Sequence, residues 1–313
     1  MLKRTLHFIC LLFAFQSFSS LGQKKQPKPL TGYHKQFELR EDNDFLHFTD
    51  RYYSTGTFLG LRKLLTQSPD SLSKSHFGFY LFQEIYTPAD LEEPNYLTYE
   101  RPFAGFLGFS NELSYSNPKR FWNFNFVIGV TGPISGAEFV QSSFHSTAAE
   151  GSRVATWNEQ IENNVHANFY LDFVREWKLL PNPFSVHFAL NPKTAFGTRD
   201  LYLQNDAIFY FGKRSSLQNS IAYKQLGHLE REFFFAVRLG YRYLFHDSLI
   251  EGHIISDSST YLLEPYHQIF FYNFELFFRR GRNDLKLTYN FETPRTFKAE
   301  PHLYISFTYA RSF

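Results

Sequence analysis

The chain has 313 residues, a formal net charge of +2, 43% apolar residues and 20% aromatics, with 39 Phe and 20 Tyr. That length admits one large domain or two small ones. The near-neutral charge and the lack of any long basic run give nucleic-acid binding no support. Mean hydropathy is only −0.34, so the aromatics sit beside many polar residues. A water-soluble domain seldom needs that mixture. A membrane β-barrel does, because apolar and polar residues alternate along each strand and aromatics girdle both interfaces.

The N-terminus reads as a secretory signal peptide over residues 1–22. Lys3 and Arg4 form its basic region, Leu6 to Phe15 its apolar region, and Ser20-Leu21-Gly22 a small-x-small cleavage site. The apolar stretch is too short to cross about 30 Å of hydrocarbon as a helix. The single cysteine, Cys10, falls inside it. The processed chain is therefore expected to hold no disulfide and no Cys-based metal site. Cys10 is not beside the cleavage point, which weighs against a lipoprotein. A polar linker follows over 23–35, and a barrel is expected over 36–313. No later run of about 20 apolar residues exists; a secreted chain without a helical span but rich in aromatics has the outer membrane of a diderm bacterium as its expected location.

Strand patterns begin at Phe37, where Phe37, Leu39 and Glu41 alternate with Glu38 and Arg40. They continue at 54–65, 76–87, 103–116 and 120–131, with a tight turn signal at Asn117-Pro118. Residues 42–53 and 88–102 read as long connections. Gly129 to Asn163 departs from alternation and predicts a helical extracellular segment. It carries Glu138, Gln141 and His145, which share a helical face at spacings of three and four residues.

Strands resume at 165–177, 184–195 and 201–212. Leu217–Leu226 reads equally as an extra strand or a loop. Arg231–His246 has the cleanest alternation, with Phe233, Phe235, Val237, Leu239, Tyr241, Tyr243 and Phe245 on one face. Residues 246–263 read as a polar loop, and 265–281 pairs with 284–293 across a tight turn. The last strand alternates to a terminal Phe313, which is like the signal read by outer-membrane assembly machinery. The fold class is thus all-β, a transmembrane antiparallel barrel of about twelve strands.

A Gly-x-Ser-x-Gly elbow, a P-loop and a His-Glu-x-x-His motif are all missing from the sequence. Two constellations remain. Glu41-Asp42-Asn43-Asp44 with Thr49-Asp50 supplies oxygen donors suited to a hard cation such as calcium, and equally suits a solvated acidic loop. His145, near Glu138, Gln141 and Glu150, has the chemistry to take a proton from water, and equally suits a loop histidine.

Several pieces occur in a fixed order: Asn43-Asp44, the run Asp50 to Gly56, Gln83 to Pro88, Arg101 to Gly105, Gly132-Pro133, Gly136, Val140-Gln141, His145, and Trp157 to Gln160. Together this set resembles the lipid A 3-O-deacylase family, strongly over residues 36 to 175. The resemblance implies a twelve-stranded barrel that uses Ca2+ to hydrolyse the ester of the 3-linked acyloxyacyl group of lipid A, the membrane anchor of lipopolysaccharide. It implies that His145 is the general base and that Asn43 and Asp44 line the site. Ser54 stands where the family has Thr, and Gln141 matches a glutamine one turn before the base. Asp44 and Glu150 are implied at the metal, the chain being one residue longer before Trp157. The family also has a lysine soon after its Ile-Tyr-x-Pro motif. Here Ala89 to Glu93 follows Pro88 without one, and Arg101 is the nearest substitute. A non-enzymatic barrel serving transport or structure, and a phospholipase-type hydrolase, are the alternative readings.

Overall fold

A computed structural model describes residues 32–44, 51–68, 72–147 and 155–313; the predicted signal peptide lies outside them. Twelve strands close into one antiparallel barrel, each bonded to its neighbours in sequence, with β1 sealed against β12. They are β1 (Lys35–Asn43), β2 (Tyr52–Ser68), β3 (Ser73–Thr87), β4 (Ala104–Ser116), β5 (Arg120–Thr131), β6 (Asn164–Leu180), β7 (Ser185–Gly197), β8 (Asp200–Lys213), β9 (Glu232–Asp247), β10 (Gln268–Arg280), β11 (Asn283–Glu292) and β12 (His302–Ser312). Most run well past the roughly 5–6 residues of a soluble strand and meet the roughly 9–11 needed to cross a bilayer at a tilt.

Alternation sets the two faces. On β9, Phe233, Phe235, Leu239 and Phe245 are exposed on the outside, while Glu232, Phe234 and Ala236 are buried in the lumen. Lumenal charges are paired, as desolvated charges must be. Arg238 Nη1 donates to Asp206 at 2.9 Å, and Lys286 Nζ to Glu275 at 3.0 Å.

At the end holding Gly32 and Phe313, most connections are short turns. The exception is 214–231, between β8 and β9. Leu217–Leu226 is not a strand; it folds into the lumen as two short 3-10 turns, Leu217–Asn219 and Ile221–Tyr223. Leu217, Ile221 and Tyr223 pack on Phe121, Tyr210 and Phe234 from the barrel wall. Arg279 donates to the carbonyls of Asn219 and Gln225 at 2.9 Å each, and Lys74 donates to the Leu226 carbonyl at 2.7 Å. The segment plugs the periplasmic mouth because its aromatics find apolar walls there and its carbonyls find lumenal cations.

Long connections gather at the opposite, extracellular end. There α1 (Ala137–Thr147) leaves β5, and α2 (Ser248–Glu251) leaves β9. Residues 246–263 are therefore not simply a polar loop: Leu249 and Ile250 of α2 are buried, with Leu249 dropping among Tyr53, Phe82, Tyr86 and Phe106. A second cluster, Ile85, Leu91, Tyr99, Phe103, Ala137, Trp157 and Tyr261, ties the loops over the barrel's edge.

Candidate active site

Period-2 geometry divides the acidic run of β1. Phe37 and Leu39 are exposed outside while Glu38 and Asp42 are buried inside, so Glu41 and Asn43 fall on the outer face. Asp42 faces the lumen and is held by Arg40 and by the Tyr53 hydroxyl at 2.8 Å. The four residues Glu41 to Asp44 therefore do not form one cation loop; Asp42 belongs to the lumen. Thr49 and Asp50 lie outside the described residues.

Asp44 and Ser54 are brought together. The Asp44 N–H donates to the Ser54 carbonyl at 3.4 Å, and the Asp44 carboxylate accepts the Arg51 N–H at 2.9 Å. Both residues are buried. Ser54 sits where β2 slips register against β3 between Tyr53 and Thr55, a bulge that re-aims the chain beside Asp44.

From Asn43 an outer-face row runs round the wall. Asn43 lies opposite Thr55, Thr55 opposite Ile85, and Ile85 opposite Gly105. One position below, Glu41 lies opposite Thr57 and Thr57 opposite Gln83. Glu41 accepts from the Thr55 and Thr57 hydroxyls at 3.0 and 2.7 Å. Sequence reasoning grouped Glu41 with Asp42, Asn43 and Asp44, as cation ligands or as a solvated acidic loop. Its shared parity with Phe37 and Leu39 was the signal that it faces outward.

At the far end of the row stands α1. Gln83 Nε2 donates to the Ser135 carbonyl at 2.7 Å. Gly136 takes a left-handed φ of 70°, turning the chain into the helix. A Cβ on Gly105 would lie 2.3 Å from both Ala137 Cβ and Ser135 Oγ. Glycine there lets the helix touch the wall, and the helix packs on β3 and β4. Three strand spacings separate Asn43 from Gly105, about 14 Å. The outer wall here presents Thr55, Thr57 and Gln83 as the floor of an external trough, with Asn43 at one side and α1, whose Ala137 packs with the buried Ile85, at the other.

On α1, Gln141 is buried and its Oε1 accepts from Trp157 Nε1 at 2.8 Å. Glu138 is exposed and accepts from Gln160 Nε2 at 3.0 Å. Glu138 and Gln141 thus both bond to the 155–161 segment. His145 lies in the helix, one turn after Gln141; its side chain, and Glu150 altogether, lie outside the described residues.

Arg101 does not stand on the outer wall. It is buried, stacked 4.4 Å over the lumenal Tyr86 ring, and donates to the Leu249 carbonyl at 3.2 Å. Burial holds its pKa below the ordinary value, with the Asp247 carboxylate opposing that shift. The lumen also holds a cavity of about 400 Å³, ringed by Glu38, Arg40, Glu84, Arg199 and Arg295. Its charges pair with one another, Arg199 with Glu84, Arg295 with Glu292 and Lys224 with Glu38.

Among the described residues no three His, Cys, Asp or Glu side chains converge as a metal cluster. The donors at this edge, Asn43, Asp44 and Ser54, are all oxygens, the donor type a hard cation takes.

A model of the family "Outer membrane protein LpxR" matches residues 6–313. Among solved structures, LpxR from Salmonella typhimurium is similar at 18% identity, covering 89% of this chain and 100% of that one, with a TM-score of 0.73. The β domain of the Bordetella autotransporter BrkA follows at 13% identity, 90% and 100% coverage and a TM-score of 0.44. No curated protein matches the chain. With a closed twelve-stranded barrel and a family match over nearly its whole length, this chain is an outer-membrane protein that belongs to the LpxR family.

Proposed function

We propose that this protein is a calcium-dependent ester hydrolase that removes the 3-linked acyloxyacyl group of lipid A from lipopolysaccharide in the outer leaflet. The observation that carries the reading is the external trough: polar and acidic residues occupy the outer wall between Asn43 and α1, where a barrel serving only as an anchor would show lipid-facing apolar residues. A lipid ester drawn sideways from the leaflet reaches this trough without entering the lumen. The plug at 214–231 also weighs against a transport role, since it fills the periplasmic mouth.

In this reading His145 takes a proton from water as the water attacks the ester carbonyl, and returns it to the leaving oxygen. Gln141, held by Trp157, fixes the helical turn before the base. Asn43 and Ser54 position the ester and donate hydrogen bonds to the developing oxyanion. Asp44 and Glu150 are the carboxylates that would hold calcium, which when bound supplies positive charge beside the carbonyl. Phe313, directly after the sealing strand β12, serves recognition by the assembly machinery.

The test uses purified folded protein with lipid A or phospholipid, with calcium or chelator. The reading predicts calcium-dependent acyl release from lipid A and none after His145→Ala. Release from phospholipid alone supports the phospholipase reading, and activity retained in His145→Ala removes the base assignment.

A further inference from the structure

We propose that the free side of α1 is an interfacial membrane anchor, its apolar residues seated in the acyl chains of the surrounding outer leaflet. The claim does not depend on the hydrolase reading. At about 100° per residue, taking Ala137 as the origin, Gln141 falls near 40°, Glu138 near 100°, Phe139 near 200° and Val140 near 300°. Ala137 faces the wall at Gly105. Gln141 and Glu138 bond to Trp157 and Gln160 of the extracellular cap. Those contacts fix which side looks up and inward. The remaining arc, from about 200° to 340°, looks down and outward; it carries Phe139 at 74%, Val140 at 42% and, near 340°, Phe144 at 56% exposure, with Ser143 near 240° between them, and Ile134, in the turn just before the helix, is 63% exposed.

What covers that side follows from its height. The helix starts at Ala137, against Gly105 of the wall. The outer-face row Leu107, Val130 and Val165 lies two strand positions lower, about 7 Å along the strand. This row belongs to the lipid-facing belt, with Val165 70% exposed at the start of β6. The apolar side of α1 continues that belt outward from the wall. A helix with one apolar side and one polar side at this level lies in the interface plane, its apolar residues just below the headgroups. Left in water, the two aliphatic groups of Ile134 and Val140 and the two phenyl rings of Phe139 and Phe144 would form an exposed patch with no function.

The test uses site-directed spin labelling. The only cysteine is Cys10, so a Cys10→Ser background carries single cysteines at Phe139, Val140 or Ile134. Leu203→Cys, on the lipid-facing belt of β8, and Ile255→Cys, 80% exposed in the extracellular loop, give the two reference environments. Labelled protein is placed in dioleoylphosphatidylcholine vesicles, with heat-dependent gel mobility confirming the barrel. The proposal predicts that collision with oxygen exceeds collision with a water-soluble nickel chelate at 139 and 140, several-fold above the ratio at 255 and close to that at 203. A ratio like that of 255 overturns it. So does shielding from both agents, which would mean that protein covers the face. Ile134→Cys decides the matter if the helix variants do not fold.

Discussion

Removing the Arg214 side chain should release the periplasmic plug. Arg214 is buried and donates to both Glu176 oxygens at 2.8 Å, and to Ser220 Oγ at 3.1 Å. It also stacks 4.1 Å over Tyr210. Arg214→Ala leaves the Glu176 carboxylate buried without its cation, a change that costs about 3–5 kcal/mol in comparable sites. Glu176 keeps the Tyr223 hydroxyl at 2.7 Å and His187 Nδ1 at 2.8 Å, which places that part near the lower end. Losing a desolvated cation–π contact adds about 1–2 kcal/mol. The expected loss is therefore about 4 kcal/mol, read by urea unfolding of the barrel in detergent micelles. Adding Glu176→Ala removes the stranded charge, so the double variant should lose less than the two singles summed. A loss under about 1 kcal/mol, or strict additivity, would refute the claim that this ion pair fastens the plug.

Three further outcomes follow. Gly105→Ala puts a methyl against Ala137 and Ser135 and should push α1 off the wall; a displacement near 1 Å lowers hydrolysis on the order of 100-fold, with the unfolding midpoint of the barrel unchanged. Gln141→Ala orphans the Trp157 indole N–H, costs about 1–3 kcal/mol of local docking, and should speed amide exchange over residues 155–161. Asp257 gives a pH signature: burial pushes its carboxyl up, but hydrogen bonds from the Ser259 side chain and from the N–H groups of His253 and Ser259 outweigh this and hold it below its ordinary 3.8. That stabilisation is present above pH 3.8 and is lost as pH falls through the depressed folded value. A spin label at position 255 should gain mobility only on that acid side, and Asp257→Asn should flatten the response.

The barrel was readable because its signal repeats. Each strand needs alternating residues over its full length, so β9 declares itself through seven large side chains of one parity. The number of strands and the helix with His145 followed from the same pattern and its interruption. Residues 214–231 were not readable. Their aromatics are buried by strands far away in sequence, and local periodicity does not record such packing. Arg101 misled for a related reason. It sits near the missing lysine in sequence, but a strand end offers two faces, and the stack on Tyr86 commits it to the lumen. The acidic run of β1 shows the same limit: density of carboxylates suggested one cluster, while the pleat sends Asp42 inside and leaves Glu41 and Asn43 out.

The central claim is that the outer-wall trough cleaves lipid A. Mass spectrometry of lipid A from cells making the wild-type protein or His145→Ala tests it most directly. The account predicts loss of the 3-linked acyloxyacyl group with wild type and an intact lipid A with the variant. Unchanged lipid A in cells carrying folded wild-type barrel, with calcium present, would contradict it.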